Sequence, residues 1–346
     1  MRRARIRHAL TLAAAGLGGW IGAALTAHAN DTTARVAVGG LEFTQTRSIR
    51  MESEHLVISP DRVRVDYVYR NTTDRAVRTV VAFPTPSYPD CLSESALDLN
   101  QRPVEGLHTE VNGQPVPTQR VRSVLMGTRD VTQQLRAAGL REAQIFAPAP
   151  LPFCSTRPEP EPWPAAVRKR LKAAGIVPDE LRTADTYHWT QTFPPGQPVR
   201  VGHAYTPFAG GIYTFYGLDR TYAEPGSKAP PVSSHWGDHT DRACLDEGAR
   251  AAIDAGVQRL LRQGAASVQM SLRDVEYILG TARNWQGPIG RFTLDVVKAQ
   301  PQDIVSLCFP GRPRRVDATT LRFEHTGFTP PDRVQVNFYT LTPYDR

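Results

Sequence analysis

The most regular pattern along the chain is an alternation of apolar and polar positions. Residues 63–69 and 77–83 both alternate in this way, and the turn-forming sequence Asn-Thr-Thr-Asp lies between them at 71–74. Period-two alternation indicates a β-strand with one face in a core. We therefore predict a hairpin, whose second strand ends at Phe83-Pro84 because proline has no N–H to donate to a sheet. A second hairpin is predicted at Asn112-Gly113, the pair favoured in type I′ turns.

A loop rich in turn residues lies between two strand-like stretches at 277–294, YILGTARNWQGPIGRFTL. We predict a third hairpin here, with its loop folded back so that Trp285 covers the end of the sheet and Asn284 bonds nearby backbone. The alternative is an exposed loop in which Asn284, Trp285, Gly287 and Pro288 bind a sugar or a peptide.

Three stretches carry helical periodicity instead, at 130–140, 165–178 and 245–262. The first begins at a capping aspartate, and the first two end at Gly139 and Gly175, as glycine commonly ends helices. These two share a Val, Leu, Ala, Gly, aliphatic pattern, either as a short internal repeat or as two solutions of one packing problem. Each has one narrow apolar stripe, so we expect both to lie on a sheet or on each other.

These elements predict a mainly β protein, built of antiparallel β-sandwich sheets with short helical insertions. The length suggests two domains. We assign residues 30–218 to a β-sandwich with a helical insert at about 130–178. Residues 219–346 are assigned to a smaller β-rich domain with one helix at about 245–262.

The N-terminus has the three parts of an export signal. Its first seven residues include four arginines, an apolar run extends from Ala9 to about Ala27, and Ala27-His28-Ala29 is a small-x-small motif. This order is typical of a secretory signal peptide. We predict cleavage after Ala29, leaving a periplasmic chain that begins at Asn30 and has no transmembrane segment. An uncleaved membrane anchor is the alternative.

Much of the positive net charge of the sequence lies in the predicted signal peptide. Removing residues 1–29 takes away four arginines and no acidic residue, so a formal charge of +7 becomes +3. So small a positive charge on an exported chain does not favour nucleic acid as a partner.

Four cysteines, Cys91, Cys154, Cys244 and Cys308, lie outside any C-x-x-C motif. An even number in an exported chain predicts disulfides, and four cysteines allow three pairings. We favour Cys91–Cys154 and Cys244–Cys308, because each pair closes a loop within one half of the chain. A reactive thiol is the alternative.

One segment has the spacing of metal ligands. In HWGDHTD, at 235–241, His235 and His239 are four residues apart with Asp238 between them. Two imidazoles and a carboxylate suit zinc or copper. Because the segment has a loop-like composition, a solvated loop without metal is the competing interpretation.

Catalytic and cofactor motifs are absent from the sequence: it contains no G-x-S-x-G, H-E-x-x-H, P-loop or Rossmann glycine pattern. His203, beside Tyr205 on a predicted strand, is more typical of a satisfied core histidine than of a general base. We therefore assign no catalytic residue and no cofactor.

Four segments are distinctive: VAFPTPSYP, HAYTPFAGG, YILGTARNWQGPIGRFTL…VSLCFPG and a long stretch that begins GGLEFTQTRSIRMESEHLVISPD. Together they resemble the DUF4424 family over essentially the whole mature chain. This resemblance implies an exported bacterial protein and assigns no active residue. A weaker resemblance to the VIT domain covers about 36–215 and implies a β-sandwich there. No von Willebrand A domain and no D-x-S-x-S metal motif follow it.

Two classes of function are consistent with these features. The first is an exported, non-catalytic β-sandwich that contacts an unknown protein of the cell envelope. The second is a periplasmic enzyme, or a protein that binds a small ligand or a metal. The absence of catalytic motifs favours the first class.

Overall fold

The computed structural model describes residues 30–37, 40–89, 104–146, 163–207, 209–216 and 244–344. Strands dominate these residues and form three sheets, accompanied by a few short helices. The predicted fold class, mainly β with sandwiched antiparallel sheets and short helical insertions, is confirmed. Within the described part of the chain, no helix combines the length and apolar character needed to cross a bilayer.

The elements are numbered here in chain order. The strands are β1 Thr32–Ala37, β2 Gly40–Thr44, β3 Ile49–Ile58, β4 Val63–Asn71, β5 Val77–Pro84, β6 Tyr88–Pro89, β7 Glu105–Val111, β8 Gln114–Pro115, β9 Gln119–Met126, β10 Arg129–Asp130, β11 Leu181–Phe193, β12 Pro198–Thr206, β13 Ala209–Tyr216, β14 Ser267–Ile278, β15 Ile289–Val297, β16 Ile304–Leu307, β17 Arg314–Arg315, β18 Thr320–Phe328 and β19 Arg333–Tyr344. The helices are α1 Thr132–Ala137, α2 Glu142–Ile145, α3 Ala165–Ala173 and α4 Glu247–Arg262, with 3-10 turns at Pro178–Glu180 and Gly280–Asn284.

The three sheets differ in size. The large sheet has eight strands in the order β17-β18-β15-β3-β4-β12-β7-β8. The seven-stranded sheet has the order β10-β9-β11-β5-β1-β2, with β6 also pairing β11, and the four-stranded sheet has the order β13-β14-β19-β16. The pairs are antiparallel except that β15 lies parallel to β3 in the large sheet.

One face of the large sheet is covered by both smaller sheets. The main core joins inward side chains of β3, β4, β12 and β15 to those of β5 and β11 on one side and of β14 and β19 on the other. Tyr69 of β4 packs on Phe193 of β11, with 5.9 Å between ring centroids. Tyr67, also of β4, bonds the hydroxyl of Tyr277 of β14 at 2.8 Å. The two smaller sheets therefore share one wide sheet as their partner.

The alternation at 63–69 is confirmed as a strand with one buried face. Val63, Val65, Tyr67 and Tyr69 are buried, whereas the residues between them are half-buried or exposed. The hairpin predicted from residues 63–69 and 77–83 is wrong. β4 pairs with β3 and β12 in the large sheet, whereas β5 pairs with β1 and β11 in the seven-stranded sheet. The connection at 71–77 is an arch between sheets.

The hairpin predicted across 277–294 is wrong for the same reason. β14 lies in the four-stranded sheet and β15 in the large sheet, so residues 278–289 also cross between sheets. The connection from β11 to β12, at 193–198, is a third crossing. Alternation shows which face of a strand is buried, but it does not show which strand completes the ladder.

The three crossings meet at one end of the molecule, which we call the crossing end (residues 71–77, 193–198 and 278–289). The side-chain amide of Asn71 donates to the carbonyl of Phe193 at 2.9 Å. The carbonyl of Asn71 accepts from the amide of Gly196 at 3.1 Å. The hydroxyl of Thr72 donates to the side chain of Gln286 at 2.9 Å. These bonds hold three chain segments that are distant in sequence as one surface.

The hairpin predicted at Asn112-Gly113 is confirmed. β7 and β8 pair on either side of this two-residue turn, with Glu110 opposite Pro115. Asn112 and Gly113 have φ angles of 51° and 79°. Two consecutive positive φ angles are the requirement of a type I′ turn, and Asn-Gly meets it with little strain.

The two short helices α1 and α3 pack together and against β9 and β11, as their apolar stripes predicted. Both end at a glycine in the left-handed region, with φ of 89° at Gly139 and 69° at Gly175. In each, the residue after the glycine donates its amide to the carbonyl of a buried leucine, Leu135 or Leu171. The shared sequence pattern therefore encodes the same helix ending twice.

The helix predicted at 245–262 is observed as α4. Asp246 caps it by accepting from the amide of Ala249 at 2.7 Å. Ile253 and Val257 are buried in a second core between this helix and the four-stranded sheet. The helix thus covers the face of that sheet that points away from the large sheet.

The division into domains 30–218 and 219–346 stays a prediction. The structure shows that β15, from the second of these ranges, pairs with β3 from the first. The main core likewise contains residues of both ranges, among them Tyr69 and Phe292. The two ranges thus contribute to one sheet and one core.

The close contact of the parallel strands β3 and β15 leaves no room for a side chain at Gly290, and this can be tested. A Cβ atom at this position would lie 2.5 Å from the backbone oxygen of Glu52. We expect Gly290→Ala to lower the free energy of unfolding by about 1–3 kcal/mol in urea denaturation, because the backbone must shift to admit the methyl group.

The matched control is Gly248→Ala in α4, where the new Cβ atom would meet its nearest neighbour, the Asp246 carboxylate, at 3.4 Å. There we expect no loss of stability, since alanine suits a helix better than glycine. Equal effects of the two substitutions would contradict the close approach at Gly290.

Candidate functional site

The sequence singled out Trp285, and the structure places this side chain inside the protein. It is 3% exposed and packs on Tyr69 with 4.5 Å between ring centroids. Its indole N–H donates to the backbone carbonyl of Asp31 at 2.7 Å. Trp285 therefore covers the end of the core, and the arrangement leaves no exposed ring on which a sugar could stack.

Trp285 and two residues just before it in the chain form hydrogen bonds with the segment Asn30–Thr32. Thr281 and Asn284 lie in the 3-10 turn that precedes Trp285. The hydroxyl of Thr281 donates to the carbonyl of Asn30 at 2.5 Å, and the amide of Asn284 donates to the hydroxyl of Thr32 at 2.8 Å. With the indole bond, three consecutive residues of the segment are each held by this turn, which we call the N-terminal clamp (Thr281, Asn284 and Trp285).

Behind the clamp lies a cluster of buried polar residues where the three sheets meet, which we call the polar seam (Asn30, Asp31, Glu54, Tyr67, Thr109, His203 and Tyr277). Within it, His203 bonds Asp31 at 2.9 Å through Nε2 and the Thr109 hydroxyl at 3.0 Å through Nδ1. All three residues are at most 3% exposed. The rings of Phe83, 4.3 Å away, and Trp189, 5.5 Å away, enclose the imidazole.

The Asp31–His203–Thr109 chain has the connectivity of a nucleophile, base and orienting carboxylate. Its burial decides against that role, because a substrate would have to reach a hydroxyl enclosed between sheets. His203 is instead a core histidine with both ring nitrogens satisfied, as its strand position predicted.

The second carboxylate of the polar seam, Glu54, is 1% exposed. Both of its oxygens accept from the side-chain amide of Asn30 at 3.1 Å. Burial raises the pKa of the Glu54 carboxyl to about 8, although the bond from Asn30 lowers it, and the nearby carboxylate of Asp31 raises it further. The side-chain oxygen of Asn30 has no hydrogen-bond partner among the described residues.

Phenol groups complete the seam. Tyr67 and Tyr277 bond each other through their hydroxyls, and the hydroxyl of Tyr69 donates to Asp31 at 3.2 Å. Burial raises the pKa of all three phenols well above the usual value, with the nearby carboxylates raising it further. They remain protonated at neutral pH, so Tyr69 donates to Asp31 and one of Tyr67 and Tyr277 donates to the other.

The exposed part of the same loop lines a surface groove at the crossing end, with a volume of about 510 Å³. We call it the crossing groove; its lining residues are Arg50, Glu52, Thr72, Gln286, Gly287, Pro288 and Gly290. Gly287 and Pro288 are exposed, whereas Trp285 beside them is buried. The loop is thus fixed from the inside and open to solvent on its other side.

The crossing groove carries both signs of charge. Glu52 is bound by Arg70 at 2.5 and 3.0 Å and by Arg50 at 3.3 Å. The bond from Arg70 lowers the pKa of the Glu52 carboxyl, against the effect of burial, with further lowering by Arg50. Glu52 is therefore ionised at neutral pH and binds two arginines, of which Arg50 lines the groove.

The predicted disulfides are described in part. Cys244 and Cys308 form a disulfide, the pair favoured for the second half of the chain. It joins the start of α4 to the segment after β16. Cys91 and Cys154 lie outside the described residues.

The candidate metal ligands His235, Asp238 and His239 also lie outside the described residues, so their arrangement stays a prediction. Among the residues that the structure describes, no group of three His, Cys, Asp or Glu side chains is placed to hold a metal ion.

The family of the chain is set by a match along most of its length. Residues 29–336 match the family described as "Domain of unknown function (DUF4424)". The chain belongs to the DUF4424 family. The match includes both the N-terminal clamp and the polar seam of this DUF4424 protein. No curated protein matches it.

Solved structures similar to this DUF4424 protein are distant. One is a Legionella pneumophila protein described as a "putative nutrient binding protein", with 18% identity and a TM-score of 0.45 over 90% of this chain and 70% of that one. Another is a mutant M1 zinc metallopeptidase from Deinococcus radiodurans, with 10% identity and a TM-score of 0.29 over 85% of this chain and 43% of that one. Nothing about function follows from likenesses this remote.

Because Trp285 is buried, we expect its replacement to lower the stability of the fold. We expect Trp285→Ala to lower the free energy of unfolding by about 3–5 kcal/mol, because it leaves a cavity in the main core. Trp285→Phe keeps most of the ring and loses the bond to Asp31, so we expect a loss of about 1 kcal/mol. Urea denaturation measures both. An unchanged stability of Trp285→Ala would show that the ring is exposed.

The buried Glu54 carboxyl makes stability depend on pH. In a chain that keeps residues before Asn30, its folded pKa of about 8 lies above the unfolded value of roughly 4.3. The folded state then binds more protons between these values, so this group's contribution to stability is full below the unfolded pKa and is lost as the pH rises toward 8.

We therefore expect Glu54→Gln to flatten the fall in unfolding free energy between pH 5 and pH 8, measured by urea denaturation. Glu324→Gln, at an exposed carboxylate of β18, is the control and is expected to leave the slope unchanged. The same slope in Glu54→Gln and in the parent chain would contradict the raised pKa.

Proposed function

We propose that the protein is exported to the periplasm and cleaved after Ala29. The basic start, apolar run and small-x-small motif of residues 1–29 support this. The disulfide between Cys244 and Cys308 supports it as well, since such bonds persist mainly in oxidising compartments.

In that compartment, we propose, the protein acts by binding rather than by catalysis, and its contact surface is the crossing groove. The carrying observation is the two-sided loop at 285–290. Its inner side is fixed by the buried Trp285, and its outer side, at Gly287 and Pro288, lines the groove. A surface held in one conformation before binding loses little entropy when a partner docks.

The groove favours a polar occupant. Arg50 offers N–H donors, Glu52 offers carboxylate acceptors, and Thr72 and Gln286 can do both. An extended segment of an envelope protein that carries both charge signs is complementary to this lining. Electrostatic matching of this kind gives specificity and faster association.

A small polar ligand is the second candidate. The groove volume of about 510 Å³ falls in the range of known small-molecule sites, roughly 300–1,000 Å³. An enzymatic role draws less support, because the Asp31–His203–Thr109 chain is enclosed in the core.

Photo-crosslinking in the native host tests the protein partner. A photoreactive residue at Thr72, in the groove, is expected to give a discrete adduct in the envelope fraction, identified by mass spectrometry. We expect Arg50→Glu, introduced into the same chain, to reduce that adduct several-fold because the charge pattern is reversed. The exposed Arg62→Glu is the matched control and is expected to leave it unchanged.

The outcomes separate the candidates. No adduct at Thr72 despite good recovery of the protein, or equal adducts from a probe at the distant Arg315, would contradict a protein partner at the groove. The small-ligand candidate would then be tested by calorimetry against saccharides and peptides, with Arg50→Glu as the site variant.

A further inference from the structure

Under the cleavage proposed above, Asn30 and Asp31 begin the mature chain, and both are buried more deeply than terminal residues usually are. Asn30 and Asp31 are both 0% exposed. Terminal residues are commonly solvated unless something ties them down, and a buried polar residue is costly unless it is bonded. Here the N-terminal clamp supplies the tie, through bonds to both residues and to Thr32.

The side-chain amide of Asn30 bonds the carboxylate of Glu54, which has no paired cation among the described residues. Glu54 accepts from the Asn30 amide, and no Arg, Lys or His side chain of the described residues forms an ion pair with it. The groups that face this carboxylate from the surrounding strands are Asp31 of the N-terminal segment, Tyr67 and Tyr69 of β4 and Tyr277 of β14. Asp31 adds negative charge, and the phenol hydroxyls bond each other or Asp31, whereas a buried charge is costly unless it is paired.

The predicted cut would place a cation at this point. Hydrolysis of the Ala29–Asn30 peptide bond by signal peptidase consumes one water, leaves a carboxylate on Ala29 and leaves an amine on Asn30. An α-amino group has a pKa of about 7.7–8.0, so it is largely protonated at neutral pH. It is joined to the side-chain amide of Asn30 through one short side chain, and that amide already lies 3.1 Å from both oxygens of Glu54.

We propose that the core contains a binding site for the protein's own processed N-terminus, in which the α-ammonium of Asn30 pairs with the Glu54 carboxylate. This inference rests on the cleavage proposed above. Before the cut the nitrogen of Asn30 is an uncharged amide. After the cut it is a cation, and the carboxylate has its counter-charge.

Chains with defined N-termini test this without relying on export. Cleavage of a fusion with a protease that leaves no extra residue gives one chain that starts at Asn30 and another that starts at Ala29. We expect the chain that starts at Asn30 to have an unfolding equilibrium constant at least tenfold smaller at pH 7. When both chains carry Glu54→Gln, we expect this difference in unfolding equilibrium constant to disappear. When both carry the control Glu324→Gln, we expect it to persist.

The pH dependence gives a second readout. A paired ammonium has a folded pKa above its unfolded value, so its contribution is full below about pH 7.7 and is lost as the pH rises through the folded pKa. The gap between the two starts is therefore expected to shrink at alkaline pH. A gap that is absent in the parent chain, or that remains in Glu54→Gln, overturns the proposal.

If Glu54→Gln does not fold, the reactivity of the α-amine decides. In the parent chain that starts at Asn30, we expect acylation of this amine at pH 7 to be at least tenfold slower than in the urea-unfolded chain. Equal rates overturn the proposal. The intact mass of the protein recovered from the host shows separately where its N-terminus lies. A different cleavage position would contradict the proposed cut after Ala29, but it would not affect the stability comparison of the two defined chains.

Discussion

The structure depends on one geometric constraint: a single wide sheet is covered on one face by two narrower sheets. Where the two covering sheets adjoin, the gap is filled by carboxylate, hydroxyl and imidazole groups instead of aliphatic side chains. Buried groups of this kind require partners, and here the partners come from different sheets, as in Tyr67 with Tyr277 and Asp31 with His203. A shift of either small sheet would break these bonds. The polar seam therefore fixes the relative position of all three sheets, which apolar contacts alone specify less sharply.

The same constraint produces the surface that we assign to binding. A chain that passes back and forth between facing sheets has to turn at their ends, and the turns at 71–77, 193–198 and 278–289 lie together at one such end. Their mutual hydrogen bonds, such as that of Asn71 with Phe193, make a fixed surface from segments far apart in sequence. The crossing groove is in this sense a consequence of topology, and its rigidity comes from the core behind it.

Local signals in the sequence predicted local structure well. Asn112-Gly113 specified its turn, Gly139 and Gly175 specified two helix ends, and alternation specified the buried face of β4. Strand partners were not predictable in this way, because the alternation of β4 and β5 is the same whether the two strands share a sheet or face each other across a core. A hairpin and an arch thus have the same sequence pattern, and the difference lies in contacts that are distant along the chain.

The candidate site shows the same limit. Trp285 and Asn284 were noticed because they lie among turn residues, whereas Glu54 gave no signal. The reason is a break in the pairing of β3 with β4 between Met51 and Ser53, after which the opposite set of positions faces inward. Strict alternation from Ile49 would place Glu54 in solvent, but the bulge directs it into the seam. There it meets Asn30, the residue at which the mature chain is proposed to begin. The Trp285 loop holds the residues that directly follow the proposed cut, so two features that lie far apart in the sequence meet at Asn30.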